Sequence, residues 1–160
     1  MTIKTGDRMP EGSFGIMGAN GPEKLSSAEL FGGRRVVLFS VPGAFTPTCS
    51  AKHLPGFVDH ADALKNKGVD TIACIAVNDT FVMDAWGKQA GCGDKVLMLA
   101  DGNAEYTRKL GLELDATGFG MGIRGQRFSL IVNDGVVEQV NIEGPGEFKV
   151  SSAEHALGQL

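Results

Sequence analysis

The segment Arg35–Val41 (RVVLFSV) constrains the fold more than any other stretch of this chain. Its apolar side chains run almost without interruption, whereas a strand with one wet face alternates. Such a strand has to be covered on both faces, which calls for layers of helix above and below a sheet. Asp70–Val77 (DTIACIAV) and Val96–Ala100 (VLMLA) repeat the pattern. Helical stretches separate these runs. The proline-rich loop Pro42–Thr48 leads into a helical segment to about Lys67, stopped by Gly68, with Pro55 kinking it or splitting off its first turn. Asn78 or Asp79 caps a helix from Thr80 to about Ala90, and a helix over Asp101–Leu110 is closed by Gly111. Gln126–Val132 and Val136–Ile142 flank Asn133-Asp134-Gly135, an Asp-Gly hairpin signal. Capping boxes at Ser26-Ser27-Ala28-Glu29 and Ser151-Ser152-Ala153-Glu154 open a short early helix, ended by Gly32-Gly33, and a C-terminal helix. The order βαβα, then strand, helix, hairpin and helix predicts an α/β protein with a central mixed β-sheet flanked by helices. The pattern alone fits more than one small fold of that class.

At 160 residues the chain has the size of one domain, spanning 1–160, and can bury a hydrophobic core. A net charge of -4 leaves no basic footprint, so no nucleic-acid partner is expected. Apolar runs such as Val36–Phe39 are too short to cross a bilayer. Residues 1–12 lack the apolar centre of a secretory signal, and a cytoplasmic protein is expected. Three cysteines without a CxxC are too few for a disulfide framework, and the odd count leaves a free thiol. His53, His60 and His155 do not combine with them at zinc-ligand spacing, so no metal is expected.

The chemistry concentrates in Pro42-Gly43-Ala44-Phe45-Thr46-Pro47-Thr48-Cys49. This loop joins a buried strand to a helix and puts Cys49 near the first helical turn. Unpaired N–H groups and the partial positive charge of a helix N-terminus favour a thiolate over a thiol. Thr46, three residues earlier, can turn its hydroxyl towards the sulfur, and two prolines stiffen the loop. By position alone, an inert buried cysteine fits this turn equally well.

The filling of PxxxTxxC here, VPGAFTPTCS, resembles the active-site loop of the peroxiredoxins, specifically the type II or peroxiredoxin-five subfamily. The resemblance continues through Lys52–Phe57, Val77–Lys88, Leu99–Gly102, Gln126–Val132 and Val150–Glu154, and so covers essentially the whole chain. It implies a thioredoxin-like fold and a thiol peroxidase. Cys49 then matches the peroxidatic cysteine, Thr46 the hydroxyl that binds peroxide, and Pro42 the proline shielding the site. Gly43 belongs to the substrate-binding loop, and Arg127 matches the guanidinium facing the sulfur. Arg124, in the glycine-rich approach, is read as a surface or interface residue. The substrates implied are hydrogen peroxide and alkyl hydroperoxides, reduced through a cysteine sulfenic acid with no cofactor. Glutathione, glutaredoxin or thioredoxin would be the reductant, and the assembly a homodimer.

Two cysteines remain as secondary redox candidates. Cys74, within DTIACIAV, reads first as a small buried hydrophobe. Cys92, between Gly91 and Gly93, reads as an exposed thiol on a mobile loop, open to oxidation or to bridging two chains. The region Phe148–Ser152 has no cysteine where relatives with an internal disulfide often carry one, so the resemblance leans to the glutaredoxin- or glutathione-dependent branch. His53 reads as a partly buried helix histidine. Phe45, Phe81, Trp86 and Phe119 read as core or as the dimer contact of the family, and Gly118–Gly122 is not a nucleotide loop. The competing function is a peroxide sensor or redox relay, which needs the same reactive sulfur.

Overall fold

The computed structural model describes residues 1–160. Its centre is a seven-stranded mixed sheet in the order β2-β1-β5-β4-β3-β8-β9. In chain order the strands are β1 (Ser13–Gly18), β2 (Gly21–Ser26), β3 (Arg35–Ser40), β4 (Thr71–Ala76), β5 (Leu97–Ala100), β8 (Phe128–Asn133) and β9 (Val136–Ile142), while β6 (Glu113–Asp115) and β7 (Ile123–Gly125) pair separately. β3, β4 and β5 run parallel, and β8 lies antiparallel to β3. The helices are α1 (Ser27–Phe31), α2 (Leu54–Asp59), α3 (Ala61–Asn66), α4 (Thr80–Gln89), α5 (Glu105–Leu110) and α6 (Ala153–Gln159).

The unbroken apolar run of β3 sorts its side chains to two cores. Val37, Phe39 and Val41 join one with Cys49, Leu54, Phe57, Leu64, Trp86 and Ala156, under α2, α3, α4 and α6. Val36 and Leu38 join the other with Leu30, Phe31, Tyr106 and Leu110, under α1 and α5. β4 repeats the division, sending Ile72, Cys74 and Ala76 to the first core and Ala73 and Ile75 to the second. Each fully buried Phe or Leu contributes about 1.5–3 kcal/mol, so both faces matter to stability. The mixed sheet flanked by helices is the expected architecture.

Several local readings shift. Pro55 sits in the first turn of α2, which continues a π turn without a break, and the long helical segment breaks at His60, between α2 and α3. Asp101 does not begin α5. Its carboxylate instead accepts from the N–H groups of Tyr106 and Thr107 and from the Thr107 hydroxyl, while Ala104 takes φ 59. The C-terminal box is displaced by one residue: Ser152 caps α6 through His155 N–H, which frees Ser151 for another partner. The β1–β2 hairpin was not visible in the sequence, because Gly15, Gly18 and Gly21 dilute its alternation. The Asp134-Gly135 turn is as expected, with φ 49 and 78.

Candidate active site

The site forms where β3 ends, since the carboxyl ends of parallel strands leave a crevice at the sheet edge. The following loop is braced by β4 and its exit: Val41 N–H donates to Ile75 O at 3.2 Å, and Ala44 N–H to Asn78 Oδ1 at 3.0 Å. Phe45 adopts φ 65, a left-handed conformation that is costly for a side chain this large and is held by its surroundings. The Thr46 hydroxyl donates to Gly43 O at 2.7 Å, closing the loop on itself and leaving its own lone pairs free to accept. Gly43 leaves room for Arg124, whose Nη1 would lie 2.9 Å from a Cβ there.

Cys49 opens a π-helical turn, Cys49–His53, whose wide hydrogen bond runs from Leu54 N–H to Cys49 O. Short π segments inside helices often mark functional positions. The N–H groups of Thr48 and Cys49 have no acceptor within the chain, the usual condition of a helix start. Cys49 is fully buried.

Arg127 reaches it from the start of β8, the strand next to β3. Because β8 is antiparallel to β3, the residue before β8 lies beside the end of β3, at the Cys49 loop. Arg127 Nη2 donates to Cys49 Sγ at 3.1 Å, and Nη1 to His53 Nδ1 at 2.8 Å. Cys49 and His53 stand four residues apart on one helical face, a spacing that the guanidinium fork spans. The Phe148 ring lies 5.9 Å from the guanidinium carbon and 4.9 Å from the His53 ring.

Arginine can only donate, so His53 Nδ1 is an acceptor and the ring proton sits on Nε2, which donates to Ser151 O at 2.8 Å. Burial, with the Arg127 charge second, lowers the His53 pKa to about 3 against the smaller opposing pull of Ser151 O and Glu143. Glu143 holds the next link. Its carboxylate accepts from the N–H groups of Lys149, Val150 and Ser151 and from the Ser151 hydroxyl, at 2.6–2.9 Å. Burial works against that charge, but the four donors outweigh it and the Glu143 pKa lies below the usual carboxylate value. A cavity of about 190 Å³ opens beside these groups, with Pro42, Thr48, Arg127 and Glu143 in its wall.

The other two thiols stand in the same layer as Cys49 without a cationic partner. Cys74 lies in mid-strand, in register with Phe39 and Met98, and burial above all holds its pKa well above the ordinary thiol value. Cys92 corrects the expectation of an exposed loop thiol. Gly91 and Gly93 take φ 71 and 50, and the turn they make brings Cys92 into the core, 2% exposed. Burial pushes its pKa up to about 11.

The Redoxin family matches residues 4–157. Peroxiredoxin-2B of Arabidopsis thaliana is 49% identical over 159 residues, 99% of this chain and 98% of the relative. Peroxiredoxin-2E-2, chloroplastic, of Oryza sativa subsp. japonica is 51% identical over 164 residues, 99% of this chain and 73% of the relative. The chain belongs to the peroxiredoxins. Reduced Prx3 from Vibrio vulnificus, crystallised in complex with H2O2, superposes on this peroxiredoxin with a TM-score of 0.95 at 49% identity, covering 99% of each chain. The fold is therefore thioredoxin-like and the activity that of a thiol-dependent peroxidase.

In this peroxiredoxin Arg127 meets Cys49 directly and shares a cavity wall with Pro42, while Thr46 closes on Gly43, and Pro42 and Gly43 lie against Arg124. Arg124 is a correction. It is half-buried, donating from Nε to Met121 O at 2.9 Å and from Nη1 to Pro42 O at 3.4 Å, so it braces the active-site loop. Its glycine neighbours suggested the surface, but β7 carries it back against Pro42. Of the aromatic residues, Trp86 is core and donates to Ser50 Oγ at 3.0 Å, while Phe45, Phe81 and Phe119 are exposed. Sequence reasoning underrated His53, although its spacing from Cys49 was a usable signal. Glu143 and Phe148 it missed, since nothing local marks them.

Proposed function

We propose that Cys49 is the peroxidatic nucleophile and that an external thiol, not an internal disulfide, returns it to the reduced state. The observation that carries this reading is the 3.1 Å contact from Arg127 to the sulfur of a helix-start cysteine. A cation donating to sulfur stabilises the thiolate, which is the nucleophilic form. The thiolate attacks one peroxide oxygen, a sulfur–oxygen bond forms, and the oxygen–oxygen bond breaks. The departing alkoxide or hydroxide takes a proton from water and leaves as an alcohol or as water. Cysteine is oxidised to sulfenic acid by two electrons and the peroxide is reduced by two. Arg127 stabilises the charge spread over both oxygens, the free lone pairs of Thr46 accept from the peroxide O–H, Gly43 gives the loop room, and Pro42 screens the site. The H2O2 complex of the Vibrio relative supports hydrogen peroxide as a substrate.

Regeneration by glutathione runs in two steps. Its thiol condenses with the sulfenic acid, releasing water and leaving a mixed disulfide. Glutaredoxin or a second glutathione then frees Cys49. Cys74 is fixed in mid-strand and Cys92 in the core, so either would need local unfolding to meet Cys49, which supports the external route. Three free thiols suit a reducing compartment, and the reading includes a cytoplasmic site of action. It also includes a homodimer, supported by the exposed rings of Phe45, Phe81 and Phe119.

The test is one equivalent of peroxide followed by glutathione, with intact mass and peptide mapping. One glutathione on Cys49, removed by glutaredoxin, is expected. A Cys49–Cys74 or Cys49–Cys92 disulfide forming faster than the adduct refutes the external route. Catalytic turnover with glutathione and glutaredoxin alone separates an enzyme from a sensor that needs a partner protein.

A further inference from the structure

We infer that His53 is a positioning residue of peroxide reduction: as the Nε2–H tautomer it bridges Ser151 O and Arg127 Nη1, and so holds Arg127 Nη2 on the Cys49 sulfur. This rests on the assignment of Cys49 as nucleophile.

Arginine has a long side chain with many rotamers to lose, so a guanidinium aimed at one sulfur needs a second fixed point. No carboxylate supplies it, since the ion pairs of this chain do not include Arg127. A carboxylate would hold the guanidinium but would also neutralise much of its charge. An imidazole acceptor holds it and leaves the full charge for the sulfur and the peroxide oxygens. Glu143, the acidic group nearest in this network, is kept from that role because its oxygens take the four donors of the Lys149–Ser151 segment. Its task is to place Ser151 O, which fixes the ring proton on Nε2 and leaves Nδ1 as the acceptor. The ring itself cannot swing away, because Phe39, Phe57 and Phe148 stand 4.8, 5.7 and 4.9 Å from it, centroid to centroid.

Two isosteres separate the two contacts. Asn in place of His53 puts an acceptor near the Nδ1 position, and Gln puts a donor near the Nε2 position. Single-turnover oxidation by hydrogen peroxide and thermal unfolding are measured for both. His53→Asn should keep the rate within a few-fold of wild type, and His53→Gln should lose about 10–100-fold, the cost of a loosened reacting group. Stability should rank the other way, because Gln keeps the bond to Ser151 O. In the double variant His53→Gln, Arg127→Gln the losses should not add, as expected when one residue acts through the other. Rates that follow unfolding temperature in step, or additive losses, overturn the proposal and leave Cys49 as nucleophile. Wild-type rates in Cys49→Ser overturn both. One measurement needs no variant: nitrogen-15 shifts of His53 in the native protein should show Nε2 protonated and Nδ1 bare, and a protonated Nδ1 overturns the bridge.

Discussion

Cys49 and Cys74 lie in the same hydrophobic layer and are equally buried, yet their neighbours differ. Cys74 sits in the middle of β4, hydrogen-bonded strands on either side, and burial keeps it a thiol. Cys49 sits at a helix start, with free N–H groups in its own loop and the Arg127 guanidinium on its sulfur. Cys92 sides with Cys74: buried, without a cation, its pKa near 11. Burial is therefore common to all three thiols, and what sets Cys49 apart is the guanidinium hydrogen bond, which reaches its sulfur alone.

The comparison breaks if the nucleophile is not unique. Cys49→Ser should reduce peroxide consumption by at least about 10³-fold, the scale seen when a nucleophile is removed. Cys74→Ala and Cys92→Ala should retain the first oxidation, read as single-turnover loss of thiol. Fast oxidation of Cys74 in the absence of Cys49 would make burial irrelevant in the opposite sense.

The remaining substitutions sharpen it. Arg127→Gln keeps a hydrogen-bond donor but removes the charge, and peroxide attack should slow by about 10²–10³-fold. Thr46→Val removes the hydroxyl on Gly43 O and should cost about 10²-fold, with Thr46→Ser close to wild type. Arg124→Gln should cost less than either, about 10-fold, since Arg124 touches the loop backbone and not the sulfur. Equal losses in the two arginine variants would mean that loop rigidity, not charge at sulfur, sets the rate.

Acid exposes the second layer of the site. His53 is neutral in the folded state down to about pH 3, whereas in the unfolded chain it takes up a proton near 6.5. The unfolded state binds more protons within that window, so stability falls as pH drops from about 6.5 towards 3, by about 1.4 kcal/mol per unit. Glu143, with its pKa lowered, contributes stability above the ordinary carboxylate range that is lost as pH falls through its folded value. Urea unfolding at pH 7.5 and pH 5.5 should show the His53 slope in wild type and a flatter one in His53→Asn. An unchanged slope would assign the acid sensitivity elsewhere.

The strands β3 and β4, the α4 cap at Asp79, the β8–β9 turn and the place of Cys49 at a helix start all follow from short stretches of sequence, because apolar runs, capping residues and Asp-Gly turns act over a few neighbours. The placement of Arg127 needed only one further fact, the antiparallel pairing of β8 with β3. Elsewhere sequence led astray for one consistent reason. The glycines around Cys92 signalled an open loop, but their positive φ angles turn the thiol inward, and only the packing of Met83, Trp86 and Val96 decides which way a flexible turn points. Arg124 was misplaced in the same manner by its glycine neighbours. The chain from Glu143 through Ser151 and His53 to Arg127 spans 8 positions in its first link, then 98 and 74 in the next two. No local pattern encodes such a connection, because its hydrogen bonds exist only after the sheet and helices have fixed the distances between its members.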